Sequence, residues 1–261
     1  METMIPPSMS DAMQEALVSL QRVAPSDLSV IIRGEPGTGK EWAARLVHQM
    51  STRSQSPFHA VDCGAIGPVN IERELFGYDA ITWESIEIKR SAFEEASGGT
   101  LFLHDVHTVP APIQLRAARA IEYKQFRRMG GGKVHDINIR LIATTAAGPE
   151  SIHPENLEVE EFGSRLAAIT VTLPPLRERT SDIPLLIDRF LSEMRDRYAN
   201  PVRGISKKAL KICCAYAWPG NVRQLRAAME YAAVMCGGGV VLPEHLPGYL
   251  LEGQAHEGLG E

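Results

Sequence analysis

The sequence predicts an α/β protein with a mainly parallel sheet, followed by a small all-α domain. Up to about residue 173, apolar strand-like runs alternate with helix-like runs, which is typical of a parallel sheet covered by helices on both faces. A glycine-rich loop at 34–40 joins the first strand to a helix. After Pro175, apolar residues in every periodic segment recur at the spacing of a helix.

The first half of the chain begins this alternation of strands and helices. Ser10 is predicted to cap a helix that runs to Arg22, because apolar residues recur there at helical spacing. Residues 78–90 follow neither period and are predicted to be irregular. The other elements predicted in this half are a strand at 28–32, a helix at 41–50, a strand at 57–61 and a short helix at 70–77.

The second half continues the alternation and then becomes helical. Ser91 and Glu94 have the spacing of a capping box, which opens a short helix. Asn221 is predicted to be the N-cap of the last long helix. The remaining predicted elements are a strand at 100–103, a helix at 111–124, strands at 137–145 and 169–173, and helices at 182–198, 206–217 and 221–236.

Composition indicates a soluble protein with no large nucleic-acid footprint. Hydrophobic residues make up 44% of the chain and charged residues 23%, as in ordinary globular proteins. No apolar run approaches the roughly 18 residues that span a bilayer, and the N-terminus lacks the features of a signal peptide. We therefore expect a cytoplasmic protein with no membrane partner. The net charge is −5, with 27 basic and 32 acidic residues, and the basic residues are scattered rather than gathered into one surface.

The four cysteines are interpreted as buried thiols, because their positions do not match the spacing of metal ligands. No metal site is predicted from histidine or cysteine clusters.

The strongest functional signal is the loop between the first strand and its helix. It reads Gly34-Glu35-Pro36-Gly37-Thr38-Gly39-Lys40. A glycine loop that enters a helix N-terminus points backbone N–H groups at a polyphosphate, and the lysine reaches the outer phosphates. The chain is therefore predicted to bind a nucleoside triphosphate. Glu41 follows the lysine, where the general pattern has a hydroxyl that binds Mg²⁺.

Five segments resemble the AAA+ domain of bacterial enhancer-binding proteins, which activate sigma-54 RNA polymerase. They read Gly-Glu-Pro-Gly-Thr-Gly-Lys-Glu at 34–41, Glu-Leu-Phe-Gly at 74–77, Gly-Gly-Thr-Leu-Phe-Leu at 98–103, Leu-Pro-Pro-Leu-Arg-Glu-Arg at 173–179 and Trp-Pro-Gly-Asn-Val-Arg-Gln-Leu at 218–225. The resemblance covers about residues 10–247 and makes Glu41 normal, because that family commonly has glutamate there.

The resemblance implies an AAA+ P-loop core at 1–177, a helical lid at 178–250 and a tail at 251–261, which we expect to be disordered. It implies ATP or ADP as the cofactor, held by the loop residues Gly34 to Glu41. It also implies assembly with itself or with AAA+ relatives, usually as a hexamer with ATP between subunits, and sigma-54 polymerase as a partner.

The segment after the strand at 100–103 departs from the family. The family has Asp-Glu there, to hold Mg²⁺ and to polarise the attacking water, whereas this chain has His104-Asp105. Imidazole is a poor Mg²⁺ ligand, so the usual protein ligands of the ion are absent. Asp105 can act as the base, but its side chain is one methylene shorter, and small misplacements slow catalysis strongly. His104 can instead donate a hydrogen bond to the terminal phosphate.

Other catalytic positions of the family are partly kept. Asp62 replaces the asparagine that holds the catalytic glutamate, and Ala146 replaces the asparagine that follows the sensor strand. Of two arginines that reach the neighbour's ATP, one is retained as Arg165 and the other position is Val159. Arg223 matches the sensor arginine of the lid.

The polymerase-contacting loop of the family reads Gly-Ala-Phe-Thr-Gly-Ala. The same positions here read Ile81-Thr82-Trp83-Glu84-Ser85-Ile86, so only an aromatic residue is kept. Neither a DNA-binding helix-turn-helix nor a receiver domain is present in the 261 residues. We expect either a stand-alone protein or a truncated one.

Our leading hypothesis is an ATP-binding regulator of transcription with weak or no ATPase activity, which acts by assembling with an active relative or other regulator. One alternative is a working ATPase that remodels the polymerase through the altered loop, with Asp105 as its base. Another is a receptor for a cyclic dinucleotide or other ligand, bound near Arg22 and Arg33. A small-molecule kinase is a remote alternative, which the helical lid argues against.

Overall fold

The computed structural model describes residues 10–81, 86–146, 169–195 and 202–252. The chain divides into two compact units. The first takes Ala16–Gly34 and Lys40–Leu173, and the second takes Glu35–Gly39 and the chain from Pro174, together with the start of the first helix. Within the described ranges, no helix is long and apolar enough to cross a membrane.

A parallel sheet forms the centre of the first unit. Its strands are β1 (Val30–Arg33), β2 (Phe58–Asp62), β5 (Thr100–His104), β8 (Arg140–Thr145) and β9 (Ile169–Thr172). Within the described residues the sheet has five strands in the order β2-β5-β8-β1-β9, all paired in parallel. The predicted mainly parallel α/β fold is confirmed. The sheet order places the end of β5 between the ends of β2 and β8.

The helices of the first unit follow the predicted order. They are α1 (Asp11–Val23, whose start belongs to the second unit), α2 (Lys40–Gln49), α3 (Pro68–Phe76), α4 (Ala92–Glu95) and α5 (Ala111–Glu122). The predicted capping box is confirmed. The Glu94 backbone N–H donates to the Ser91 hydroxyl over 3.1 Å, and the Ser91 N–H donates to the Glu94 carboxylate over 2.9 Å.

Two short hairpins complete the first unit, and the sequence predicted neither. Strands β3 (Tyr78–Ile81) and β4 (Ile86–Lys89) pair antiparallel, so the irregular structure predicted for 78–90 was wrong for these two segments, while residues 82–85 lie outside the described residues. Strands β6 (Gln125–Arg127) and β7 (Val134–Asp136) also pair antiparallel. Strands of three or four residues are too short to show a period against their neighbours.

The second unit is helical, as predicted. Its helices are α6 (Ile183–Arg195), α7 (Lys207–Ala215), α8 (Asn221–Cys236) and α9 (Gly248–Glu252). A parallel strand pair, β10 (Val202–Ile205) with β11 (Gly239–Val241), adds to them. Glycines interrupt both strands, which removes the alternating pattern of a strand from the sequence. Trp218 is fully buried in this unit's core, and its indole N–H donates to the Cys213 carbonyl over 2.7 Å.

Candidate nucleotide-binding site

The loop at 34–40 has the backbone that its glycines allow. Gly37 has φ +81° and Gly39 has φ +103°, which are conformations that side-chain-bearing residues rarely adopt. A Cβ atom added to Gly37 would lie 2.3 Å from the Gly220 carbonyl oxygen. Gly37 is therefore required for two reasons, its φ angle and the close approach of the second unit's own backbone.

Lys40 stands at the start of α2, with its side chain buried to 6% exposure. Its ammonium donates to the Gly34 carbonyl over 2.7 Å and lies 4.0 Å from Asp105 Oδ1. The lysine is thus held over the loop, beside the helix N-terminus where phosphates bind. A phosphate oxygen is a stronger, charged acceptor than the carbonyl that now accepts its hydrogen bond.

The carboxyl ends of β2 and β5 bring two acids and an imidazole together. Asp62 is the register partner of His104 in the parallel pair. His104 Nδ1 lies 3.7 Å from Asp62 Oδ1 and 3.4 Å from Asp105 Oδ2. His104 therefore stands between both carboxylates, with Lys40 on the other side of Asp105.

Asp105 is held in a strained conformation at the centre of this cluster. Its φ of +53° lies in the left-handed region, which costs a non-glycine residue energy and is common at functional sites. Its backbone N–H donates to the Thr144 hydroxyl over 3.0 Å. Within the described part of the chain, Asp105 Oδ1 and His104 Nδ1 are buried without a hydrogen-bond partner. Such orphaned atoms mark a place for a ligand or a water.

Two further titratable groups face the cluster. Burial lowers the pKa of His107, and Lys40 and His104 lower it further, while Asp105 opposes them. Burial raises the pKa of the Cys63 thiol to about 12, helped by Asp62 and Asp105. At neutral pH we therefore expect His107 to be largely neutral and Cys63 to be a thiol. His107 was not among the residues predicted from the sequence to lie at the site, although its place three residues after His104 was a signal.

Glu41 is engaged outside this cluster. Its carboxylate accepts from Arg45 Nη2 over 2.8 Å, one helical turn further along α2, and both side chains are about half exposed. Among the described residues, no group of three or more His, Cys, Asp or Glu side chains is placed to hold a metal ion.

The tip of the loop, Glu35–Gly39, belongs to the second unit. The side chains of Arg177, Arg179 and Asn221 hold it there. Arg177 makes a double ion pair with Glu35, at 2.8 and 2.6 Å. This pair lowers the Glu35 pKa. Arg179, buried to 5% exposure, donates to the Thr38 carbonyl over 2.8 Å. Neither Arg177 nor Arg179 was predicted from the sequence to contact the loop, because each lies about 140 positions from its loop partner in the chain.

Asn221 does not cap α8, so that prediction was wrong. Gly220 occupies the N-cap position, and Asn221 itself has φ +52°. The fully buried Asn221 amide donates to the Pro36 carbonyl over 3.1 Å, and its oxygen accepts from the Leu176 N–H over 2.7 Å. Its side chain is used to fix the loop tip instead of the helix end.

Arg223, the predicted lid arginine, lies beside the same tip. Its backbone N–H donates to the Gly37 carbonyl over 3.3 Å. The side chain is exposed and makes no hydrogen bond or ion pair with another described residue. Arg223 is therefore available to a ligand bound at the loop.

The remaining predicted site residues are not brought together. Arg165 and the Trp83 loop lie outside the described residues. Arg22 and Arg33 are exposed, on α1 and β1 respectively, and no described contact joins them. The ligand-receptor interpretation thus remains a prediction without further support.

Comparison with known proteins identifies relatives. The Sigma-54 interaction domain family matches residues 7–172, and the AAA+ ATPase lid domain family matches residues 177–260. The Sigma54-dependent transcriptional activator SfnR of Pseudomonas putida is 38% identical over 234 residues, which are 89% of this chain and 64% of the relative. The transcriptional regulatory protein ZraR of Salmonella typhimurium is 36% identical over 91% of this chain and 54% of its own length. The chain thus spans about half to two thirds of these relatives.

Solved structures show the same fold. NtrX from Brucella abortus in complex with ATP superposes with a TM-score of 0.82 at 33% identity, over 94% of this chain and 56% of that one. The ADP complex of NtrX gives a TM-score of 0.83, over 95% and 56%.

Proposed function

The chain belongs to the Sigma-54 interaction domain family, and on that premise we propose that it is an ATP-binding regulator of sigma-54-dependent transcription with weak or no hydrolysis. One observation carries this proposal. The glycine loop keeps its phosphate-binding backbone, with Lys40 held over it, whereas the position that holds Mg²⁺ in the family has a histidine, His104, between two carboxylates.

Binding of ATP or ADP is supported by the loop and by its relatives. Gly37 and Gly39 have the positive φ angles that a phosphate-cradling loop uses. Arg223 lies beside Gly37 with no partner among the described side chains. NtrX, similar over most of this chain, has been solved with both nucleotides.

The residues at the strand ends do not fit a protein-bound Mg²⁺ ion. Mg²⁺ requires hard oxygen ligands in octahedral geometry. Here the His104 imidazole stands 3.4 and 3.7 Å from the two carboxylates, and the Lys40 ammonium lies 4.0 Å from Asp105. The His104 imidazole and the Lys40 ammonium therefore lie where oxygen ligands and the ion would have to be. The positive charge of Lys40 also balances the carboxylate charge that would attract the ion. Ala146, after β8, has no polar side chain with which to orient a water.

Membership of the Sigma-54 interaction domain family also suggests which proteins this chain acts on. We propose that the protein assembles with itself or with active AAA+ relatives in the cytoplasm and thereby regulates sigma-54 polymerase. Membership of the family supports this, as do relatives named as transcriptional activators.

The test measures nucleotide binding and hydrolysis on one purified sample, with Mg²⁺ and with a chelator. We expect micromolar ATP binding with turnover far below that of active relatives. Lys40→Ala should abolish binding, because it removes the cation that meets the outer phosphates. An exposed lysine in the second unit, Lys208, supplies the matched control as Lys208→Ala. Turnover close to that of active relatives would contradict the proposal.

A second candidate is a working ATPase with Asp105 as the base. Asp105 Oδ1 favours it, because this buried atom accepts no hydrogen bond from a described residue and a carboxylate oxygen can accept a proton from water. In that case, turnover should be measurable and should vanish in Asp105→Ala while ATP affinity remains. Turnover that survives this substitution excludes Asp105 as the base.

A further inference from the structure

The first unit carries a second candidate binding site, remote in sequence from the phosphate loop. An open groove of about 320 Å³ lies between one face of α5 and the β6–β7 hairpin. Arg116 and Arg119 line it from α5, at the spacing of residues that share a helix face, and Tyr123 lines it from the C-cap of that helix. Phe126 and Val134 line it from the hairpin. Its volume is at the lower end of the range for small-molecule sites.

One arginine of the groove, Arg116, is held by contacts within the protein. Arg116 forms an ion pair with Glu72 and donates to the Arg127 carbonyl over 3.1 Å. Its guanidinium also lies 3.9 Å from the centre of the Phe76 ring, which is the geometry of a cation–π contact. Arg116 therefore forms a fixed wall rather than a free charge.

Two other arginines are free to meet a ligand. Arg119 and Arg127 are exposed, and their side chains make no hydrogen bond or ion pair with any residue in the described ranges. Among the described residues that line the groove, none is a carboxylate. The groove is therefore a local positive patch on a chain whose net charge is −5. Such a patch favours an anionic ligand that a guanidinium can bind through two hydrogen bonds.

The rest of the groove suits an aromatic ring. Phe126 and Ala120 are buried, at 5% and 6% exposure, and form an apolar floor. Tyr123 is 72% exposed and Val134 is 41% exposed, so an apolar surface faces solvent beside the two arginines. Phe126 is anchored through its ring contact with Phe93, at 5.4 Å between ring centres. A planar ligand can stack on Tyr123 and on the arginines while its acidic group pairs with them.

Duplex nucleic acid does not fit this site. Specific and non-specific DNA binding both rest on many phosphate contacts, typically about six to ten. In the part of the chain that the structure describes, two unpaired arginines line the groove, which is too few for such contacts. We propose that the groove binds a small planar aromatic anion, such as an aromatic carboxylate, sulfonate or phosphate, and that Arg119 and Arg127 bind its acidic group.

The experiment uses anilinonaphthalene sulfonate, an aromatic anion that fluoresces when bound, on the whole chain. N-phenyl-naphthylamine, its uncharged analogue, is titrated in parallel. We expect the sulfonate to bind more tightly than the neutral analogue, because only the sulfonate can pair with the arginines. The double variant Arg119→Ala/Arg127→Ala should weaken sulfonate binding about tenfold or more, which is the size of one lost charged hydrogen-bonding contact. Binding of the neutral analogue should change little.

Two further variants make the outcome decisive. Arg203→Ala removes an exposed arginine of the second unit and should leave both affinities unchanged. Lys40→Ala should also leave them unchanged, which separates this groove from the phosphate loop. Equal sulfonate binding by the double variant and by Arg203→Ala would overturn the proposal. A loss of affinity in Lys40→Ala would overturn it too, because the dye would then occupy the nucleotide site.

Discussion

At the scale of single residues, the site combines a phosphate-binding glycine loop with a histidine and two carboxylates at the strand ends. Lys40 and Gly37 do what the sequence predicts of a phosphate-binding loop. His104 and Asp105 occupy the predicted positions, but only the structure shows that the imidazole lies between Asp105 and Asp62. The site therefore places one imidazole and one ammonium beside two carboxylates.

Gly37→Ala should damage the loop in two ways. A Cβ atom would meet the Gly220 carbonyl at 2.3 Å and would strain a φ angle of +81°. We expect a loss of about 1–3 kcal/mol in the free energy of unfolding and about a tenfold or greater loss of ATP affinity. Thermal melting and ATP titration measure the two effects. Gly248→Ala is the matched control, since nothing lies within 4 Å of its added Cβ, and an effect of equal size there would refute the explanation.

His104→Asp combined with Asp105→Glu should raise ATP turnover. The double change removes the imidazole that stands between the carboxylates and lengthens the side chain at position 105, the proposed base, by one methylene. We expect about a tenfold or greater gain in phosphate release. Lys40→Ala in the same background should abolish the gain, which shows that it arises at this site. Unchanged turnover would mean that another position, such as Ala146 or Asp62, limits hydrolysis.

At the scale of elements, the long apolar strands were predictable and the short hairpins were not. The run Val30-Ile31-Ile32 is buried on both faces of the sheet, so its sequence is continuously apolar and easy to recognise. Strands β6 and β7 have three residues each and form because they pair with each other. The contacts of Arg177 and Asn221 with Glu35 join positions 142 and 186 residues apart. No local pattern can reveal such contacts.

Arg128 follows β6 and joins the β6–β7 hairpin to β3 and α4. The stability that these contacts provide should depend on pH. The Arg128 guanidinium donates to Asp79 of β3 over 2.9 Å and to Glu94 of α4 over 3.1 Å. Burial alone raises the Glu94 pKa, but hydrogen bonds from Arg128 and Ser91 outweigh it and lower the pKa to about 2. A carboxyl with a lowered folded-state pKa stabilises the fold above its unfolded pKa, and this stability is lost as the pH falls toward the folded value.

Glu94→Gln should therefore flatten the pH dependence of stability below about pH 4.5. The wild-type chain should lose about 3 kcal/mol from this group between pH 5 and pH 2, and the variant should lack that loss. Denaturant unfolding at several pH values measures the difference. Glu95→Gln, at the exposed neighbouring pair with Arg90, is the control and should leave the slope unchanged. The same slope in Glu94→Gln and wild type would show that the Arg128–Glu94 ion pair does not stabilise the fold.

At the scale of the whole molecule, the phosphate loop belongs to both compact units. Gly34 and Lys40 belong to the first unit, and Glu35–Gly39 belongs to the second. The second unit fixes its part of the loop through Arg177, Arg179 and Asn221. A nucleotide that binds the loop should therefore stabilise the native fold, because the unfolded chain does not hold the loop in its binding conformation.

ATP at about a hundred times its dissociation constant should add about 2.7 kcal/mol to the free energy of unfolding. This stabilisation should persist when a chelator removes Mg²⁺, because Lys40 and the loop backbone, rather than a protein-bound cation, hold the phosphates. Thermal melting with ATP in chelator and in Mg²⁺ measures both. Lys40→Ala should show no shift in either condition, while Lys208→Ala should behave as wild type. A shift that appears only with Mg²⁺ would place the ion in the binding step, and the carboxylates beside His104 would then have to contribute to holding it.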